Sequence, residues 1–253
     1  MPPSPRTRIL GAALRNARVE ANFGLRELAR RIGVTPAALS SWEQARRTPA
    51  LADVAGLLGA IGTSGELKRD ILRLARGGPD EWWVVHGAPA SPARAAALVA
   101  HKVAAQDVVT WDPFALPELL QISHQQPETR PPLIEAFISD VVLQTNDERT
   151  GALQQQLRRL LRSAGASRSL VLRTVRAELA WAEGFTTAFD RYSLPDDKPV
   201  VYCGQRSFGV FAVERTSARP VHEAEVQRLR QIALHPQQSR DHILRCIAAV
   251  QSV

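Results

Sequence analysis

Apolar residues recur at helical spacing through the first third of the chain. Ile9, Leu10, Ala13, Leu14 and Ala17 make one stripe, Leu28, Ala29 and Ile32 a second, and Leu39 and Trp42 a third. Val54, Ala55, Leu57 and Leu58, then Leu67, Ile71, Leu72 and Leu74, complete the set. The periodicity predicts five short helices. Turn chemistry separates them: Asn22, in Ala21-Asn22-Phe23-Gly24, suits a left-handed position after a helix, and Gly33 supplies the freedom of a tight turn. Thr35 can cap the next helix through its hydroxyl, and Pro36 fits the first helical position, where no N–H is required. Leu28 to Glu43 therefore reads as helix, turn and helix. What stays outside on the second of these helices is Ala37, Ala38, Ser40, Ser41 and Gln44, small or neutral groups that let a helix lie deep in a major groove.

The pattern changes after Gly77-Gly78-Pro79-Asp80, and again at Ser91-Pro92, where turn residues interrupt it. Residues 1–80 are read as one domain, 81–92 as a linker and 93–253 as a second domain. Glu81-Trp82-Trp83-Val84-Val85-His86 carries adjacent tryptophans, read as packing of the linker onto a domain or as an aromatic ligand wall. Ala93 to Ala105 reads as helix and Val108 to Trp111 as extended chain. Pro113, Pro117, Pro127, Pro131 and Pro132 predict irregular chain, and Leu133 to Leu143 is open between strand and helix. Asn146 to Ser163 reads as a helix with Leu153, Leu157, Leu160 and Leu161 inward. Leu170 to Val175, Thr186 to Tyr192, Val200 to Cys203 and Gly209 to Val213 alternate as strands, divided by Pro-Asp-Asp and glycine turns. A small antiparallel sheet is expected, followed by closing helices over Val221 to Leu234 and Ser239 to Val250. The fold class is α+β overall, an all-α five-helix N-terminal domain joined to an α+β C-terminal domain.

Charge is distributed unevenly. Residues 1–80 hold thirteen Lys plus Arg against seven Asp plus Glu, a net of +6, whereas the rest holds nineteen against eighteen, a net of +1. A basic head on a nearly neutral body suits contact with double-stranded DNA, since phosphate neutralisation supplies the sequence-independent part of affinity. Arg15, Arg26, Arg46 and Arg47 border the reading helix and are expected on phosphates. Thr35, Ser41 and Gln44 can hydrogen-bond to bases, and Ala37 and Ala38 can touch thymine methyls. No apolar run approaches membrane length, and the start, Met1-Pro2-Pro3-Ser4-Pro5-Arg6, does not resemble a signal peptide, so a cytoplasmic protein is expected. Cys203 and Cys246 read as separate buried thiols. Only Lys68, Lys102 and Lys198 stand among the many arginines, which with abundant alanine points to a GC-rich bacterial genome.

Leu-Arg-x-x-Arg in the first helix, Glu-Leu-Ala in the second and Ser-x-Trp-Glu closing the third together resemble the Xre, or lambda-repressor-like, family. That resemblance implies an ion pair between Arg18 and Glu43. A second resemblance covers most of the remainder. Pro117-Glu118-Leu119-Leu120-Gln121, the helix Gln154 to Leu161, extended Val171 to Val175, Pro199-Val200-Val201-Tyr202 and His235-Pro236-Gln237-Gln238-Ser239 are similar to the C-terminal domain of actinobacterial WhiJ-like regulators, also described as antitoxin-like. The likeness implies operator binding and work with a small partner protein.

Catalytic constellations are thin, and no catalytic, cofactor or metal site is expected. His222-Glu223-Ala224-Glu225 lacks the second histidine of a zinc helix, and His242 with Cys246 makes only two ligands. Asp196-Asp197 reads as a hairpin tip, and His86, His101 and His124 share no useful spacing. Two functional classes stay open. One is a transcriptional regulator, dimeric because a single helix-turn-helix reads too little DNA, whose C-terminal domain senses a ligand or small partner protein. Val226, Leu229, Ile232 and Ala233, with Ile243, Leu244, Ile247 and Val250, offer it apolar faces. The other is a helix-turn-helix derivative whose C-terminal cavity serves as an enzyme or small-molecule binder, its DNA binding weakened or lost.

Overall fold

The computed structural model describes residues 4–77, 82–89, 91–121, 131–144, 150–195, 198–214 and 221–250. Gly78, Pro79, Asp80, Glu81, His124, Pro127, Asn146, Asp196 and Asp197, and the side chain of Val250, lie outside the described residues. By packing, the chain forms two compact units, Met1–Ala104 with Gly204–Val213, and Ala105–Cys203 with Glu214–Val253.

The first unit begins with α1 (Pro5–Glu20), α2 (Leu25–Arg31), α3 (Pro36–Glu43), α4 (Leu51–Ala60) and α5 (Gly65–Arg76), the five helices that the apolar spacing predicts. Their inward stripes meet in one core, in which Leu14, Leu28, Leu39, Val54 and Leu58 are fully buried. Ser4 starts α1 by accepting the Thr7 N–H at 3.2 Å, and Asn22 ends that stretch in the left-handed region, φ 59°.

Trp82–His86, expected within a linker, is strand β1. It pairs antiparallel with β7 (Phe208–Val213), which the chain supplies much later. Trp83 and Val85 turn inward from this ribbon while Trp82 stays exposed, the period-two alternation of a strand with one buried face. Helix α6 (Pro92–Ala104) packs along α1, which explains why Arg8 and Ile9 are buried on the side of α1 away from the five-helix core. Arg94 of α6, 1 % exposed, donates to the carbonyls of Gly87 and Gln205. His101 stacks on Phe211 with ring centroids 4.5 Å apart and bonds through Nδ1 to the Ala97 carbonyl. Burial pushes its pKa down to about 4, and the positive charge of Arg8 acts in the same direction.

The second unit corrects the sheet expectation. Its strands are β2 (Asp107–Asp112), β3 (Leu133–Ser139), β4 (Leu170–Val175), β5 (Phe189–Ser193) and β6 (Val200–Gly204), in the order β6-β5-β2-β3-β4. With the β1–β7 ribbon, seven strands are described. The sheet is mixed rather than small and antiparallel, because β2, β3 and β4 run parallel while β5 and β6 run antiparallel. Parallel pairing follows from long connections. Helix α7 (Glu118–Gln121) lies between β2 and β3, and α8 (Asp140–Leu143) and α9 (Thr150–Ala166) lie between β3 and β4. The ambiguous stretch 133–143 is both elements in succession, β3 and then α8.

Both faces of this sheet are covered. On one, Val109, Trp111, Phe137 and Val201 pack with residues of α10 (Ala177–Ala182) and α11 (Val221–Ile232). On the other, Ala136, Ile138 and Leu172 pack with α9 and α12 (Pro236–Val250). Val226, Leu229, Ile243 and Ile247 are consumed by these cores, and among the described residues of the closing helices' expected apolar faces only Leu244 is strongly exposed.

Candidate nucleic-acid interface

Between α2 and α3 the chain turns through Gly33, whose φ of 73° lies in the left-handed region that a side chain resists. Thr35 then accepts the Ala38 N–H on its hydroxyl at 3.1 Å, and Pro36 occupies the first turn of α3. Leu39 and Trp42 point α3 into the core, leaving Thr35, Ala37 and Gln44 exposed and Ala38 and Ser41 half-buried. Arg15, Arg26, Arg46 and Arg47 are all exposed.

Two contacts fix α1 to the end of α3. Arg18 grips Glu43 at two points, Nε to Oε1 at 2.6 Å and Nη2 to Oε2 at 2.9 Å, and its Nη1 donates to the Phe23 carbonyl at 2.8 Å. The Glu43 bond raises the Arg18 pKa, and the side chains are only 11 % and 4 % exposed. The second contact is Gly11, where an added Cβ would sit 2.7 Å from the Trp42 carbonyl oxygen and 2.8 Å from that of Glu43. Composition alone does not reveal this glycine, since it stands in mid-helix; its signal is a small residue at a helix crossing. After α3, Ala45 takes φ 59° while buried, so the chain leaves the helix sharply toward Arg46 and Arg47.

The polar groups on the outer face of α3 are already engaged within the helix. Ser41 donates to the Ala38 carbonyl at 2.7 Å, and the Gln44 amide donates to Ser40 Oγ at 3.0 Å. Hydroxyl acceptor capacity and the Gln44 carbonyl remain for a base edge.

The second unit carries a buried polar cluster that sequence reading missed. Thr110, Asp190 and Tyr202 stand opposite one another on β2, β5 and β6. Asp190 accepts from the Thr110 hydroxyl and from the Tyr192 hydroxyl, the latter at 3.2 Å, while Tyr202 donates to Glu118 at 3.0 Å. Burial pushes the Asp190 pKa up to about 7, helped by the negative charges of Glu118 and Asp112. It also raises Asp112 and holds Tyr192 protonated. Its sequence signal is faint: an aspartate between Phe189 and Arg191, in a strand that carries two charged residues among its five. His242 and Cys246 are 3.9 Å apart, and no metal-holding group of His, Cys, Asp or Glu occurs among the described residues. Nor is any described helix long and apolar enough to cross a membrane.

Residues 9–71 match a family model described as a helix-turn-helix domain, and residues 123–245 match one described as a domain of unknown function, DUF5753. The first match runs from α1 into α5, so the N-terminal helices are a helix-turn-helix domain. No curated protein and no solved structure matches the chain.

Proposed function

We propose that the chain is a sequence-specific DNA-binding transcriptional regulator of the Xre kind. Residues 1–80 read an operator and the C-terminal domain dimerises and senses a ligand or small partner protein, as in WhiJ-like, antitoxin-like actinobacterial regulators, in the cytoplasm. One observation carries the reading: α3 is anchored by Leu39, Trp42 and the Arg18–Glu43 pair and leaves a small-residue face outward, with Arg46 and Arg47 exposed at its end. Such a helix enters a major groove without steric cost, and Thr35, Ala37, Ala38, Ser41 and Gln44 are the groups that meet base edges. Arg15, Arg26, Arg46 and Arg47 neutralise phosphates.

A gel-shift with DNA from upstream of the protein's own coding region, against random competitor, tests the reading. Retention of the first over the second supports it, and equal or absent binding overturns it. Light scattering of the full chain tests the dimer.

A second reading keeps the fold and moves the work to the C-terminal domain as an enzyme or small-molecule binder. The Asp190–Thr110–Tyr192 cluster favours it, being a buried carboxyl with a pKa of about 7 that hydrophobic packing alone does not require.

A further inference from the structure

The outermost strand of the second unit, β4, is covered along only half of its free edge. The Ile134 N–H donates to the Ser169 carbonyl at 2.7 Å, and alternate residues of a parallel strand turn their backbone groups to the same neighbour. Positions 169, 171, 173 and 175 therefore serve β3, and Leu170, Leu172 and Thr174 face outward. At Thr174 the edge is closed. Its N–H donates to Ser239 Oγ at 2.9 Å, its carbonyl accepts the Leu234 N–H at 2.9 Å, and Val175 bridges Ala233. Among the described residues, nothing takes up the outward groups of Leu170 and Leu172.

A cavity of about 720 Å³ opens beside those two residues, between the end of α9 and the start of α12. Leu161, Ala164 and Pro236 give it an apolar wall, and Arg168 and Arg240 stand in its lining, both exposed. None of its lining residues is acidic. The first turn of α12 adds the positive end of a 15-residue helix. An open strand edge, an apolar wall and uncompensated positive charge thus coincide. A small anion would satisfy the arginines but not the edge, whose alternating N–H and C=O groups match another extended backbone.

We propose that this cavity receives an acidic, extended segment of a partner protein, which adds as a strand beside Leu170–Leu172 with its carboxylates against Arg168 and Arg240. The site is separate from the helix-turn-helix, so its failure and that of the DNA reading are distinguishable.

The full chain is titrated by fluorescence anisotropy with three labelled peptides. They are an alternating Glu–Val heptapeptide, its Lys–Val counterpart, and the Glu–Val peptide with every backbone nitrogen methylated. The Glu–Val peptide should bind at least about tenfold more tightly than either control. Hydrogen exchange at the Leu172 amide should slow when it is present. Arg168→Glu combined with Arg240→Glu should reverse the preference toward Lys–Val without lowering Tm. Equal binding of the methylated peptide would overturn the proposal in favour of a simple anion contact. Absence of Glu–Val binding, or of Leu172 protection in the unmutated chain, would overturn it as well.

Discussion

Arg18 and Glu43, 25 positions apart, close a two-point ion pair that ties the first helix to the last turn of α3. Both side chains are largely withdrawn from solvent, so either charge left alone would keep its desolvation cost and lose its partner. Arg18→Met or Glu43→Gln alone should destabilise the first unit by about 2–4 kcal/mol, and the double variant by less than the sum. A double-mutant cycle by urea unfolding checks this, and zero coupling would remove the pair as an anchor.

Gly11 and Gly56 are both mid-helix glycines, and they should respond oppositely to alanine. At Gly11 a Cβ meets two backbone oxygens under 3 Å, whereas at Gly56 nothing lies within 4 Å. Gly11→Ala should cost about 1–3 kcal/mol through forced displacement of α3. Gly56→Ala should gain about 0.5–1 kcal/mol from helix propensity. Thermal melts of the two variants give the signs directly.

Arg46 and Arg47 are exposed just past the end of α3. Replacing both with alanine should weaken specific and random DNA binding alike and flatten the slope of log affinity against log salt by about 2. Binding titrations across a salt series measure that slope. A loss confined to one sequence would mean these arginines touch bases instead.

Asp190 makes stability fall as pH rises. Its folded pKa of about 7 lies above the ordinary 3.8, so the folded chain holds a proton that the unfolded chain has released. The contribution is whole below pH ~4 and lost as pH climbs through ~7. Asp190→Asn should remove that slope and stabilise the second unit at pH 8, as denaturant melts across pH 4–8 would show. An unchanged slope would place the proton elsewhere.

His101 works in the reverse sense. Its folded pKa of about 4 lies below the usual 6.5, so its contribution is whole above pH ~6.5 and is lost as pH falls toward ~4. His101→Leu should flatten the acid limb of the first unit's stability profile. Hydrogen exchange in the β1–β7 ribbon, followed from pH 4 to 7, separates this from the Asp190 effect.

The helix-turn-helix was legible because each of its signals is local. Asn22, Gly33, Thr35 and Pro36 act within a few residues of themselves, and the stripes through Leu14, Leu28 and Leu39 need only helical spacing. Sheet order was not legible, because direction is set by what lies between strands. Val108 to Trp111 and Leu133 to Ser139 look alike whether they run parallel or antiparallel. The pairing of Trp82–His86 with Phe208–Val213 left no trace near either strand. Asp190 escaped notice for the same reason: Thr110 and Glu118 reach it from distant parts of the chain.

The late arrival of β7 bears on how the first unit is made. During synthesis the five helices can assemble early from contacts near in sequence, but β1 must wait until residue 208 and beyond have been translated. Until then β1 has no strand on either edge, and Trp83 and His101 lack the cover of Phe211 and its neighbours. A nascent or truncated chain that stops short of β7 should therefore be sticky even though its helix-turn-helix is folded. Excision at residue 80 trades that hazard for another, since it bares the Arg8–Ile9 side of α1 on which α6 rests.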